Sequence, residues 1–130
     1  MTAMASLGDI VVDSAHPASI ARFWAAALDD YAVAPYDDAE LARLRVLGID
    51  DVEDDSSVLL MPRSPDRPRI WFQRVPEAKS VKNRVHLDLR CADIALEAGR
   101  LIDLGARVIA VREELTVLAD PEGNEFCLIR

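Results

Sequence analysis

The segment from Arg84 to Arg90 alternates strictly between hydrophobic and polar residues. Side chains along a β-strand point alternately to its two faces, so this pattern predicts a central strand. One face is apolar and is expected to be buried beneath helices; it consists of Val85, Leu87 and Leu89. The other face carries His86 and Asp88, which are close enough in sequence to share one ligand or one proton.

The same two-residue period predicts seven further strands, and a period near 3.6 predicts three helices. The strands cover residues 7–13, 31–35, 58–61, 69–74, 107–111, 115–119 and 125–129. The first helix begins at Pro17, where a missing N–H is tolerated, and the second spans residues 39–47. The first helix has a helical stripe that is expected to lie in the core, with Trp24 as a core residue; the stripe consists of Ile20, Phe23, Trp24, Ala27 and Leu28. The third is capped by Asp93 and ends at Gly105. Its predicted buried positions are Ile94, Ala98, Leu101 and Ile102.

The two halves of the chain therefore repeat one order of elements: strand, helix, strand, strand, strand. We expect a single α+β domain over residues 1–130, in which module 7–74 and module 84–130 are joined by a crossover at 75–83. One helix cannot cover both faces of a sheet. Two βαβββ modules side by side can form a curved mixed sheet, with the helices outside and the other faces lining a cup.

The residues opposite the apolar faces are left for the interior of this cup. They are Asp9, Asp13, Trp71, Gln73, His86, Asp88, Arg90, Glu125 and Cys127. A concave surface with one aromatic wall and a few convergent polar groups is typical of a small-molecule site. The alternative is a hydrogen-bonded polar network on an open sheet face.

Charge and composition exclude several classes of partner. The net charge is −8 and the chain has no long basic run, so nucleic acid and anionic membrane surfaces are poor partners. An apolar run of about 18 residues and a signal-peptide pattern are both missing, which predicts a cytoplasmic protein. Cys91 and Cys127 have no metal-type spacing and are expected to be reduced thiols.

Four motifs resemble the vicinal oxygen chelate superfamily, which includes glyoxalase I, bleomycin-resistance proteins and extradiol dioxygenases. They are Phe23-Trp24, the run 72–77, the run 82–89 and the run 120–126. The chain looks most like glyoxalase-like proteins of the actinobacterial type, and the resemblance extends from about Leu7 to Leu128. It implies the glyoxalase/bleomycin-resistance/dioxygenase fold and a homodimer.

The resemblance also places four positions where metal enzymes of the superfamily hold a divalent ion: Asp9, Gln73, His86 and Cys127. The metal candidates are His86, Gln73 and Asp9, because Cys127 is a soft ligand among harder ones. This set is unusual for the superfamily. We therefore expect no tightly bound catalytic metal and no assured cofactor, although a divalent metal remains possible.

Two functions stay open. The first is a pocket that binds a small organic molecule, with His86 and Glu125 as catalytic acid–base residues. Its ligand-binding residues would be Asp9, Trp71, Gln73, Asp88, Arg90 and Cys127. The second is a divalent-metal-dependent lyase, isomerase or dioxygenase. The acidic insertion, residues 37–57, is expected to be a solvated surface loop around its short helix, and its apolar residues either form a dimer interface or anchor the insertion to its own module. They are Leu41, Leu44, Val46, Leu47 and Ile49.

Overall fold

The structure, a computed structural model, describes residues 3–130. It divides into two compact units, of which the first ends at Pro76 and the second begins at Glu77. This boundary lies inside the segment predicted to connect the modules. Each unit is built as an α+β layer, in which helix covers one face of a four-stranded mixed sheet.

The first unit contains, within the described residues, four strands, two α-helices and a short 3-10 helix. In chain order they are β1 (Asp9–Ser14), α1 (Pro17–Ala27), β2 (Tyr31–Val33), α2 (Asp38–Val46), the 3-10 helix (Val52–Asp54), β3 (Ser57–Pro62) and β4 (Arg69–Arg74). The strand order is β1-β4-β3-β2. β1 runs parallel to β4, and the other pairs are antiparallel.

Helix α1 packs on the apolar face of this sheet. Pro17 begins the helix, and the predicted stripe at Ile20, Phe23 and Trp24 is buried. Phe23 and Trp24 meet edge to face with their ring centroids 5.3 Å apart, an arrangement that aromatic pairs favour. The prediction that Trp24 belongs to the core is confirmed.

Helix α2 forms the first half of the acidic insertion. Its N-cap is Asp37, whose carboxylate accepts a hydrogen bond from the Glu40 amide at 2.9 Å. Leu44 is only 1% exposed, so this side chain anchors the insertion to its own unit. Val46 and Leu47 remain largely exposed at the end of the helix.

The second unit repeats the topology of the first without an insertion. Its elements are β5 (Leu87–Arg90), α3 (Ile94–Leu104), β6 (Arg107–Val111), β7 (Leu115–Ala119) and β8 (Glu125–Ile129), in the sheet order β5-β8-β7-β6. Asp93 caps α3 through the Leu96 amide, and Gly105 takes the left-handed conformation, φ 119°, that ends it. The predicted α+β repeat of two βαβββ units is confirmed.

Two predicted burial positions are wrong, and three others, Leu87, Leu89 and Ile94, are only half-buried. Strand β5 begins at Leu87 rather than at residue 84, and Val85 is 79% exposed. Because β8 begins at Glu125, no strand lies beside Val85 to continue the parallel ladder. Ile102 is 46% exposed, since it lies about 100° around α3 from the buried Leu101. No helix within residues 3–130 is both long enough and apolar enough to cross a bilayer.

Candidate functional site

The polar face of the first sheet is formed by facing residues of β1 and β4. The parallel register places Asp9 beside Arg69 and Asp13 beside Gln73. Asp9 accepts hydrogen bonds from Arg69 Nε at 2.9 Å and Nη2 at 2.8 Å, which hold the pKa of its carboxyl below the ordinary value. Gln73 Nε2 donates to Asp13 Oδ1 at 2.9 Å. Three of the predicted polar residues, Asp9, Asp13 and Gln73, are thus hydrogen-bonded across the two strands.

Trp71 is held in a defined orientation on the same face. Its indole Nε1 donates to Asp9 Oδ2 at 3.1 Å, and the Arg69 guanidinium lies 5.9 Å from the ring centroid. A tryptophan with its N–H satisfied and a cation near its ring loses little further freedom when a ligand stacks on it. Trp71 is therefore a preorganised aromatic surface.

An open cavity of about 440 Å³ lies beside Trp71 and is lined by residues of the first unit. Leu59 and Trp71 provide its apolar side, whereas α2 and the residues before it provide a polar wall that includes Tyr36, Glu40 and Arg43. Arg43 binds Glu40 through two hydrogen bonds, from Nε at 3.0 Å and from Nη2 at 2.6 Å. The acidic insertion therefore folds onto the polar face of its own sheet.

Tyr36 and Asp55 connect the two ends of this insertion. The Tyr36 hydroxyl donates to Asp55 Oδ2 at 2.9 Å, and the Ser57 amide donates to Asp55 Oδ1 at 3.1 Å. Asp55 is only 2% exposed. Burial, reinforced by the hydrogen bond to Asp55 and its charge, raises the pKa of Tyr36 far above the ordinary value, so its hydroxyl stays protonated.

The sequence did not indicate this cavity. Of its lining residues only Trp71 was predicted for a site, because the segment 37–57 was interpreted as a solvated acidic loop. The sequence does contain one signal. Tyr36 is an aromatic residue immediately before the carboxylate-rich segment, and Leu44 is an apolar residue within it.

On the second sheet, three of the predicted site residues meet. The parallel pairing of β5 with β8 places Asp88 beside Cys127, and His86 Nε2 lies 3.4 Å from Asp88 Oδ1. One ligand atom from each of these three residues lies within 4.8 Å of the other two. Cys127 is 8% exposed, whereas His86 and Asp88 are about half-exposed. Burial, followed by the negative charge of Asp88, raises the pKa of the Cys127 thiol, and Lys82 opposes this increase.

Glu125 and Arg90 make separate interactions within the same unit. Glu125 Oε2 accepts a hydrogen bond from the Asn83 amide at 3.2 Å and lies 3.5 Å from Lys79 Nζ. Burial favours a higher pKa for Glu125, but backbone amides and the Lys79 ammonium outweigh it and hold this pKa below the ordinary value. Arg90 Nη1 donates to the Arg130 carbonyl at 3.1 Å.

The metal positions implied by the resemblance differ in how well they suit an ion. Both oxygens of Asp9 already accept from Arg69, so an ion there would have to displace a guanidinium, and Gln73 is bonded to Asp13. In the second unit, Asp88 lies close to both His86 and Cys127. The three residues together supply nitrogen, sulfur and oxygen donors. That donor set suits zinc and similar borderline ions.

These features define a glyoxalase-like α+β protein of the vicinal oxygen chelate superfamily. Residues 9–129 match the family described as "Glyoxalase-like domain", and the chain belongs to that family. No curated protein is significantly similar to it in sequence.

Solved structures share its fold at low sequence identity. The fosfomycin resistance protein FosX from Mesorhizobium loti is 13% identical and has a TM-score of 0.67, covering 98% of this chain and 92% of its own. A glyoxalase/bleomycin resistance protein/dioxygenase family enzyme from Burkholderia phytofirmans is 15% identical with a TM-score of 0.65, over 95% of this chain and 97% of its own. The trypanothione-dependent glyoxalase I of Leishmania major is 11% identical with a TM-score of 0.63, over 98% and 87%. At these identities the similarity concerns the fold.

Proposed function

We propose that this protein binds a small organic molecule in the cavity beside Trp71. The observation that carries the proposal is a space of about 440 Å³ with a fixed indole on one side. Ligand pockets typically measure about 300–1,000 Å³ and combine apolar walls with a few placed polar groups. Related folds include proteins named for fosfomycin resistance and for dependence on trypanothione, so this architecture serves small-molecule chemistry elsewhere.

The polar wall determines what kind of molecule fits. The hydroxyl proton of Tyr36 is committed to Asp55, which leaves the Tyr36 oxygen as an acceptor for a ligand N–H or O–H. Arg43 and Glu40 neutralise each other, but Asp37 and Asp55 also line the cavity, so the wall offers hydrogen bonds together with a net negative charge. A planar molecule with polar substituents matches a stacking surface faced by such a wall.

The acid–base roles predicted for His86 and Glu125 are a separate proposal for the second unit, where Asp88 lies 3.4 Å from the His86 imidazole. An imidazole beside a carboxylate is a common general acid or base. The proposed ligand set otherwise retains Asp9, which fixes Trp71, and Gln73, which belongs to the same sheet face. We also propose that the protein is a homodimer located in the cytoplasm.

A thermal-shift screen of a metabolite library identifies the ligand, and tryptophan fluorescence then measures its affinity. We expect Trp71→Ala to weaken binding at least about tenfold through the loss of stacking and apolar contact. Trp71→Phe should retain part of the affinity.

Met61→Ala is the matched control for this experiment. Met61 is an exposed apolar residue on the same face of β3 as Leu59 but outside the cavity. Binding that is unchanged in Trp71→Ala, or weakened equally in Met61→Ala, would remove the cavity from the proposal.

The second candidate function is a divalent-metal-dependent lyase, isomerase or dioxygenase reaction. It is supported by the cluster of His86, Asp88 and Cys127, where a bound metal would supply a Lewis acid that polarises a substrate oxygen. Metal analysis of protein purified without chelators or a metal-affinity column tests it. Near-stoichiometric metal that is lost in His86→Ala would favour this function over metal-free binding.

A further inference from the structure

We infer that His86, Asp88 and Cys127 form a thiolate-containing site for a zinc-type divalent ion, built entirely within the second unit. The inference deepens the second candidate function and is independent of the cavity beside Trp71. It changes the ligand set that the resemblance implies, because Asp88 takes part and the first unit supplies no ligand.

The backbone brings the three residues together. Asp88 and Cys127 are register partners on the parallel strands β5 and β8, so their side chains project from the same face of the sheet. His86 precedes Asp88 by two residues and reaches it at 3.4 Å. The pairing of Asp88 with Cys127 therefore follows from strand register, and His86 joins them from the residue immediately before β5.

The distances are close to those that one ion requires. Zinc binds nitrogen at about 2.1 Å and sulfur at about 2.3 Å in tetrahedral geometry, so these two ligand atoms are about 3.6 Å apart around a bound ion. The three ligand atoms here lie within 4.8 Å of one another. Since the side chains of His86 and Asp88 are 50% and 51% exposed, a small rotation can remove the difference.

The donor set determines which metals the site prefers. A thiolate and an imidazole favour zinc, cobalt and related borderline ions, whereas magnesium and calcium prefer oxygen ligands. Cys127 is the decisive residue, because the remaining His–Asp pair would hold such ions only weakly. The half-exposed His86 and Asp88 also leave the site accessible from solvent.

In the first unit, the two candidate metal ligands already make other hydrogen bonds. Asp9 is bound through both oxygens by Arg69 and also accepts from Trp71, and Gln73 donates to Asp13. A metal ion bound to Asp9 would displace these donors and leave the Arg69 guanidinium without its carboxylate partner. This is why we assign the ion to the second unit alone.

Titration of the full-length, tag-free, reduced protein with Co²⁺ tests the inference, because a thiolate bound to cobalt produces a near-ultraviolet charge-transfer band. We expect this band in the wild type, displacement of cobalt by an equal concentration of Zn²⁺, and no displacement by Mg²⁺. Cys127→Ser should abolish the band. His86→Asn and Asp88→Asn should each weaken binding by at least about tenfold, since loss of even an outer partner of a ligand costs about 10- to 100-fold.

Cys91→Ser is the matched control, since Cys91 is the other free thiol and lies outside the cluster. A band that persists in Cys127→Ser, disappears in Cys91→Ser, or is lost equally in Asp9→Asn would overturn the inference. If Cys127→Ser does not fold, as judged by circular dichroism, the exposed variants His86→Asn and Asp88→Asn decide the question through cobalt affinity. Tight binding of cobalt and zinc without any catalysed reaction would uphold the site while removing the metal-dependent reaction.

Discussion

Replacing Tyr36 with phenylalanine isolates one hydrogen bond that holds the cavity wall in place. The Tyr36 hydroxyl donates to Asp55 Oδ2 at 2.9 Å, and Asp55 is 2% exposed. Without the hydroxyl, this carboxylate keeps the Ser57 amide as a partner for its other oxygen but loses a donor that water cannot easily replace. The variant should therefore destabilise the first unit.

The magnitude follows from the charge of the acceptor. Hydrogen bonds to charged groups contribute about 1.5–3 kcal/mol, and Tyr36 is only half-buried, so we expect Tyr36→Phe to lower the free energy of unfolding by about 1.5–2 kcal/mol. Tyr31 supplies the matched control, because its hydroxyl donates to a neutral acceptor, the Pro68 carbonyl, at 2.6 Å. Tyr31→Phe should cost about 0.5–1.5 kcal/mol.

Urea unfolding followed by tryptophan fluorescence measures both variants. Trp24 and Trp71 both belong to the first unit, so the signal reports the unit that contains the substitutions. Two results would refute the claim that the charged acceptor makes the Tyr36 hydrogen bond the stronger one. The first is an equal fall in the free energy of unfolding in Tyr36→Phe and Tyr31→Phe, and the second is a fall of less than about 0.5 kcal/mol in Tyr36→Phe.

The same variant has a pH signature of known sign. The folded protein raises the pKa of Tyr36 above its ordinary value of 10.0, because burial and Asp55 disfavour the phenolate. Above pH 10 the unfolded chain releases this proton while the folded chain keeps it, so stability falls as pH rises. Tyr36→Phe removes this fall in stability, because phenylalanine has no proton to release. The difference in stability between wild type and variant should therefore shrink above pH 10.

Two further predictions concern the insertion and the second unit. Leu44→Asp should unfold the first unit, because it places a carboxylate at a position that is only 1% exposed. Leu47→Asp changes a position that is 62% exposed and should leave the fold intact. If the insertion forms a dimer interface, Leu47→Asp should also yield monomer. Light scattering and circular dichroism separate these outcomes, and a wild type that is monomeric at micromolar concentrations would contradict the dimer. Glu125→Gln should lose stability relative to wild type at pH 7 but much less near pH 3. The reason is that the lowered pKa of Glu125 stabilises the folded state above its ordinary value of 4.5 and this contribution is lost as pH falls; thermal unfolding at both pH values measures it.

Local periodicity was sufficient to predict the elements of both units. The strands at Arg69–Arg74, Arg107–Val111, Leu115–Ala119 and Glu125–Ile129 have the predicted bounds, because alternation and flanking turn residues are local signals. Val85 shows where such signals stop. Its alternation with His86 continues the pattern of β5, but a strand needs a neighbour to pair with, and β8 does not extend that far.

The candidate site required information that alternation does not contain. Tyr36 and Asp55 lie 19 residues apart and meet only because the insertion returns to its own sheet. No periodic pattern connects them, and the surrounding carboxylates favoured a solvated loop. The cavity wall is therefore a tertiary feature that depends on the insertion lying against its own sheet.

The cluster of His86, Asp88 and Cys127 could be predicted from the sequence only in part. Alternation placed His86 and Asp88 on one face and Cys127 on the polar face of its own strand, but only the parallel register of β5 and β8 sets Asp88 opposite Cys127. A shift of one residue in that pairing would turn Cys127 towards α3 and leave His86 with a carboxylate alone. The proposed metal preference thus depends on strand register, and a sequence comparison limited to ligand types at the family's usual positions would miss Asp88.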